Sequence, residues 1–226
     1  WDALNPYSVW LLVVLISTLS FAGYAATRWL GTGRGAALTG LTGGFVSSTA
    51  VTLSFARRSR EPGADADGDA LACGILISWA VMFVRVMIAV AIVNRELLPT
   101  LARGFGVMAL AAALMAAVFY VRGLRHAGVI PRGDALPVTN PFSLGAAVQF
   151  ALLFAVVLVI VEITQEYAPV GGLYVVAALA GLTDVDAITL SMAQSSHDGL
   201  GFTVATHAIG IAALSNTLVK CAMVLV

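Results

Sequence analysis

Gly181-Leu182-Thr183-Asp184-Val185-Asp186-Ala187-Ile188-Thr189-Leu190-Ser191 sets two carboxylates inside a stretch otherwise apolar enough to lie within a bilayer. A charge at that depth costs roughly 2.5–3.5 kcal/mol on insertion scales, and more in simulations. It persists only when it is paired, faces water or holds a cation. The same eleven-residue frame occurs earlier without the acids, as Gly44-Phe45-Val46-Ser47-Ser48-Thr49-Ala50-Val51-Thr52-Leu53-Ser54. The leading glycine, the central alanine and the Thr-Leu-Ser ending match without a gap. Ser47 and Thr49 stand where the second copy has Asp184 and Asp186.

The repeat extends outward from this frame. Asn5-Pro6-Tyr7-Ser8 recurs as Asn140-Pro141-Phe142-Ser143, 135 residues on, and Val84-Arg85 recurs as Val219-Lys220 at the same offset. The glycine-to-serine frame itself recurs at 137. Seven apolar stretches carry these anchors, at about 7–29, 35–56, 70–93, 104–122, 143–164, 172–194 and 202–226, each near the roughly 20 residues that a spanning helix needs. No stretch alternates like a barrel strand, so the spans are predicted to be helices. The expected fold is an all-α polytopic membrane protein in one domain. A three-helix repeat (5–94), a connector helix (95–139) and a second three-helix repeat (140–226) follow one another. Asn5-Pro6 and Asn140-Pro141 read as N-cap and first helical residue. If all seven stretches cross, spans one and five enter from the same side and the repeats are parallel. Counting arginines at the two faces gives six against four, which places the start of the chain in the cytoplasm.

Composition supports lipid as the solvent. The 226 residues are 60% hydrophobic and 11% charged, with net charge zero and mean hydropathy +0.95, whereas soluble domains carry about 25% charged residues. Zero net charge argues against a nucleic-acid partner. Cys73 and Cys221 lie in apolar segments and read as packing residues. Gly31-Thr32-Gly33-Arg34-Gly35 lacks the strand and the lysine of a phosphate loop. Cysteines and histidines do not cluster at zinc spacing. No nucleophile–base pair is visible, and an aspartyl protease would need its acids on separate helices. An enzyme is therefore not expected. The chain opens on Trp1-Asp2 with no signal segment, and an upstream domain is expected to precede it.

The candidate binding residues follow from depth and charge. Asp184 and Asp186 point about 200° apart on an intact helix. An unwound turn after Gly181 lets them converge on one cation. On an intact helix Thr183, Asp186 and Thr189 still form one stripe. Arg85 and Lys220, each on the third helix of its repeat, are the natural counter-charges. Asn216 sits one turn before Lys220. Lysine can shift its pKa where arginine cannot, so a proton-linked role falls to Lys220. Ser47, Ser48 and Thr49 occupy the hydroxyl copy of the frame. A cation site of unknown identity is assigned to Asp184 and Asp186, and no other cofactor is expected. The plainer readings are a structural salt bridge for the acids, helix anchoring for Arg85 and Lys220, and local carbonyl bonding for the hydroxyls. His207, alone in its span, reads as packing. Glu162 and Glu166 read as a hydrated rim.

Through Gly44–Ala56, Gly181–Ala193 and Asn216-Thr217-Leu218-Val219-Lys220, the chain resembles the C-terminal membrane domain of unknown function, number 4010, that follows an MgtC/SapB-type domain in many bacterial proteins. The resemblance covers essentially the whole chain. It implies a multi-pass protein of the bacterial inner membrane with an N-terminal MgtC/SapB-type partner domain, and it implies no activity. The residues themselves point first to a transporter or channel-like carrier for a small ion, cation favoured, or a polar solute. Its site would lie near the midplane at the two glycine-interrupted helices. The competing reading is a regulatory or assembly subunit whose buried charges pair internally. The bilayer is the expected partner in either case, and a homo-oligomer is compatible with both.

Overall fold

The computed structural model describes residues 6–30, 35–61, 68–127, 144–167, 170–197 and 199–225. Among these residues the chain is helical and contains no strand. The helices are α1 (Pro6–Leu30), α2 (Ala36–Arg58), α3 (Gly68–Val93), α4 (Leu98–Ala127), α5 (Leu144–Tyr167), α6 (Val170–Thr183), α7 (Val185–His197) and α8 (Phe202–Leu225). The expected all-α class is thus observed. α1 opens on Pro6, the first-turn place predicted for it. Asn5, the Asn140-Pro141 opening, Arg34, Arg132 and Asp134 lie outside the described residues. Four runs are long and apolar enough to cross a membrane: Ala36–Arg58, Gly68–Val93, Arg95–Arg125 and Phe202–Leu225. Shorter apolar helices occur at Trp10–Leu19, Ala151–Thr164 and Val170–Thr183. The protein is a helical membrane protein.

Contacts divide the chain into two compact units. One comprises Trp1–Thr18, Val86–Phe105 and Phe142–Val219, and the other Leu19–Arg85, Gly106–Pro141 and Lys220–Val226.

In the second unit, α2 is not a straight rod. Its run is interrupted at Ser47, whose backbone is extended (φ −162°, ψ 105°). A Cβ on Gly74 of α3 would lie 2.6 Å from the carbonyl oxygen of Ala36 and would also strike the Phe55 ring. On a straight helix Ala36 and Phe55 stand about 28 Å apart, too far for both to border one residue. The two halves therefore fold back on each other. Pairing with α3 gives the directions. Gly40 faces Gly74 and Gly44 faces Ser78, so the arm 36–46 runs parallel to α3. On the return arm, 48–58, Trp79 of α3 donates its indole N–H to Thr52 Oγ1 at 2.8 Å while Phe55 reaches back to Gly74, so that arm runs antiparallel. Ala36, Val51, Phe55, Leu71 and Ile75 form the core between the arms and α3. Glycines at 40, 44 and 74 allow this closeness because each faces backbone. Trp79→Phe is expected to lower stability by about 1–2 kcal/mol, the worth of a part-buried hydrogen bond and its packing, read as thermal unfolding of the purified protein. An unchanged midpoint would mean that the return arm is not held by this bond.

The first unit repeats the arrangement with a complete break. α6 ends at Thr183, Asp184 is non-helical, and α7 begins at Val185. Tyr174 packs on His207 with ring centroids 6.2 Å apart, and Gly181 faces the backbone of Ala212, so α6 and α8 run parallel. Were α7 a straight continuation of α6, His197 would stand about 40 Å from Phe202 along the axis, and the connecting chain reaches at most about 17 Å. α7 therefore returns alongside α6, and α5 packs against both. A turn with Gly199 at φ +116°, which favours glycine, leads into α8. Asn94, between α3 and α4, accepts the Glu96 N–H and donates its amide to Ser196 Oγ at 3.0 Å near the end of α7.

Candidate functional site

Among the described residues, these two turns interrupt apolar helical runs, and most of the candidate residues gather at them. Ser47 and Asp184, the two turn residues, are 137 apart, the offset of the repeated frame. Folding back frees backbone groups at both sides of each turn, and buried backbone groups must be satisfied. The side chains that satisfy them differ between the copies.

At the α2 turn, Ser47 Oγ accepts the N–H of Ala50 at 3.2 Å and so caps the return arm. On the other side, Arg85 donates from Nη1 to the carbonyls of Phe45 (2.9 Å) and Val46 (3.3 Å), the last two of the entering arm. A cation at a helix C-terminus meets the negative end of the peptide dipoles, which favours this placement. Arg85 is 6% exposed. Lys220 is fully buried and donates from Nζ to Ser48 Oγ at 2.7 Å and to Met82 Sδ at 2.8 Å. Ser47, Ser48, Arg85 and Lys220 are therefore brought together around one turn, as the repeat leads one to expect for the first two. Thr49 sits half-buried in the first turn of the return arm.

At the α6–α7 turn, Asp184 Oδ1 accepts the N–H of Asp186 at 3.1 Å, while the Asp184 N–H donates to the Ala180 carbonyl at 3.0 Å. Asn216 donates its amide to the Gly181 carbonyl at 3.0 Å, so an amide here meets the end of α6. Asp186 is buried on the first turn of α7. Thr189 and Ser191 are buried, and neither hydroxyl has a hydrogen-bond partner. Thr183 is exposed and turns its hydroxyl back to the Ala180 carbonyl at 2.8 Å, away from any stripe with Asp186. Among the described residues no group of three or more His, Cys, Asp or Glu gathers to hold a metal ion. His207 packs on Tyr174 as expected, and Glu162 and Glu166 are exposed.

Reading the sequence misses Met82, the thioether beside Lys220, and the Trp79–Thr52 bond that secures the return arm. The second has a signal. A tryptophan in the middle of an apolar helix needs a partner for its N–H. A separate cavity of about 720 Å³ lies between the entering arm of α2, α3 and α4, lined by Leu38, Phe45, Ile77, Val84, Ala117 and Tyr120 among others. Its walls are overwhelmingly apolar, which suits no charged or polar solute.

Comparison with known proteins gives three findings. The family model described as "Domain of unknown function (DUF4010)" matches residues 14–226, which include every candidate residue above. An uncharacterized protein of Aquifex aeolicus (strain VF5) is 35% identical over 189 residues, 81% of this chain and 78% of that relative. No solved structure matches.

Proposed function

The chain belongs to the DUF4010 family, and we propose that it is a multi-pass carrier for a small ion or polar solute, with a cation as the favoured species and the bacterial inner membrane as its location. The observation that carries this reading is the pair of capped helix turns at equivalent places in a duplicated sequence. Non-helical backbone at membrane depth is tolerated only where protein buries it or it lines a water-filled cavity. Duplicated units with discontinuous helices are a recurrent architecture of secondary transporters, which use the ends of the broken helices to bind ions and substrates.

The hairpins also change the topology expected from seven crossings. Each arm of α2 spans about 16 Å, and α6 and α7 about 20 Å each, against a hydrocarbon core of about 30 Å. Each hairpin leaves by the side it enters, so the crossings are α1, α3, α4, α5 and α8. Three crossings then separate the start of α1 from the start of α5, and the repeats become inverted rather than parallel. The arginines agree with this count. Arg28, Arg57, Arg58, Arg60, Arg122 and Arg125 fall on one side, with Arg95 and Arg103 on the other. Six against two among the described residues is a clearer positive-inside bias than six against four, and it puts the start of α1 on the non-cytoplasmic side.

Two measurements test the proposal. With Cys73 and Cys221 replaced, single cysteines at Glu61 and at Gly201 are expected to label from opposite faces of sealed vesicles. Seven crossings would put them on the same face. Purified protein in proteoliposomes is expected to move a small ion or solute above the empty-vesicle rate, across a panel of labelled species. The complete burial of Lys220 against Ser48 and Met82 favours the second reading, a regulatory membrane subunit. Absence of flux for every species, with the inverted labelling intact, would select it. An N-terminal MgtC/SapB-type domain is the partner that the family resemblance proposes for either.

A further inference from the structure

The apolar cavity of about 720 Å³ is built wholly from the second unit: the entering arm of α2, α3 and the later part of α4. Its direction follows from the pairings between these helices. Gly40 faces Gly74 and Gly44 faces Ser78, while a Cβ on Gly123 of α4 would meet Asp69 and Ala70 at the start of α3. α4 is therefore antiparallel to α3. Leu38, Cys73 and Tyr120 line one end of the cavity, and Phe45 and Val84 line the other. From Cys73 to Val84 the wall is about 16 Å long at helical rise, close to the roughly 15 Å that one leaflet of a bilayer core occupies.

A volume this large is no packing defect. A water molecule takes about 30 Å³, and protein interiors hold few voids larger than that. Water is a poor filler here, because cavities with apolar walls stay dry. Alanines at 80, 113, 116 and 117 set the walls back, and the rim residues Leu41, Val84 and Tyr120 are exposed, so the slot opens sideways to the bilayer. Hydrocarbon is the filler that these walls fit.

Lipid tails are as apolar as leucine, so a tail that moves from bulk lipid into the slot gains only packing contacts. A lasting occupant must be held at its polar end. Tyrosine belongs at the headgroup level of a bilayer, which marks the end at Tyr120 as that end. The same face of the unit carries Arg122 and Arg125 on α4. It also carries Arg57, Arg58 and Arg60 on α2, because Phe55 of the return arm borders the same residue, Gly74, as Ala36 does. Basic side chains at this level recruit anionic head groups. Arg122 reaches Asp69 at 3.7 Å. Arg125 is exposed five residues beyond Tyr120, and helical side chains lean back toward the N-terminus, which here is the direction of Tyr120.

We propose that the cavity holds one acyl chain of an anionic diacyl phospholipid from that leaflet, with the phosphate held by Arg125 and the Tyr120 hydroxyl. The methyl end of the chain then abuts Phe45, whose carbonyl accepts from Arg85, and the lipid braces the entering arm of α2 beside its turn. Lipid binding here neither requires nor excludes the carrier reading.

The test uses the purified full chain, delipidated in a maltoside detergent and titrated with dioleoyl phosphatidylglycerol or dioleoyl phosphatidylcholine. Native mass spectrometry counts bound lipid, and thermal unfolding follows stability. Phosphatidylglycerol is expected to occupy one site saturably and to raise the midpoint by about 5 °C or more, because binding to the folded state alone stabilises it. Phosphatidylcholine is expected to need at least about fivefold more lipid for half the effect, lacking a net negative head group. Ala117→Phe puts a ring into the slot. It is expected to weaken phosphatidylglycerol binding at least about tenfold, while its lipid-free midpoint stays at or above that of wild type because the ring fills the void. Arg125→Gln is expected to bring phosphatidylglycerol down to the level of phosphatidylcholine and to leave the latter unchanged. The inference is overturned if Ala117→Phe binds phosphatidylglycerol like wild type, if wild type binds the two lipids alike, or if neither lipid raises its midpoint. A lipid-independent dimer that Ala117→Phe converts to monomer, read by light scattering, would give the slot to a second copy of the chain and overturn it too. Arg125→Gln, a surface change, decides the matter should Ala117→Phe not fold.

Discussion

Gly181→Val is expected to leave almost no folded protein in a detergent extract, while Gly210→Ala on α8 is expected to be silent. A Cβ at Gly181 would sit 2.6 Å from Ala212 Cα and 2.8 Å from its carbonyl carbon. Both are backbone atoms of α8, so no rotamer change relieves the overlap. α6 would have to move away from α8, and the Asn216 bond to the Gly181 carbonyl would break with it. Overpacking alone costs typically about 1–3 kcal/mol, and here a lost buried hydrogen bond and a branched side chain add to it. A total above about 4 kcal/mol belongs to the rare, diagnostic class of substitutions. At Gly210 a Cβ would meet nothing within 4 Å, and alanine is the better helix former by about 1 kcal/mol. Size-exclusion profiles of fluorescently tagged variants read both. A monodisperse Gly181→Val peak at wild-type yield would mean that α6 does not pack on α8 in this way. Gly40→Val, facing the backbone of Gly74, is the matching change in the other unit.

Arg85→Met is the second large effect, about 3–5 kcal/mol of lost stability. Methionine keeps much of the apolar stem and removes the guanidinium. The Phe45 and Val46 carbonyls then lose a charged donor at 2.9 and 3.3 Å in surroundings that supply little water. Hydrogen bonds from charged groups contribute about 1.5–3 kcal/mol each, and stranding buried acceptors adds to their loss. Arg85→Lys should recover only part, because a compact ammonium lacks the planar fork that spans two neighbouring carbonyls. Thermal unfolding and protease resistance between residues 45 and 48 both report the change. Wild-type behaviour of Arg85→Met would show that the turn of α2 stands without its cation, and that Arg85 is there for another reason.

The sequence by itself determines the solvent, the helical class, the duplication and the place of each irregularity. Hydrophobic runs of spanning length admit only helices or a closed barrel, and nothing alternates. The matching frames at Gly44 and Gly181 mark where helix loosens, and the breaks fall three residues into each. Ser47 and Asp184 can be paired by counting, and both prove to be capping residues. What counting cannot supply is the angle at the break. A run such as 36–58 has the same length and apolarity whether it crosses a bilayer or doubles back, because hydropathy measures solvent preference and not direction. Doubling back depends on bare backbone at Gly40, Gly44 and Gly74, and on partners such as Trp79 and Arg85 that come from another helix. The same holds for side-chain roles. Arg85 and Lys220 are equivalent in sequence, yet one holds carbonyls and the other a hydroxyl and a thioether. Thr52 and Thr189 are equivalent too, and only one is satisfied, because hydrogen bonding is decided by what tertiary packing brings within about 3 Å.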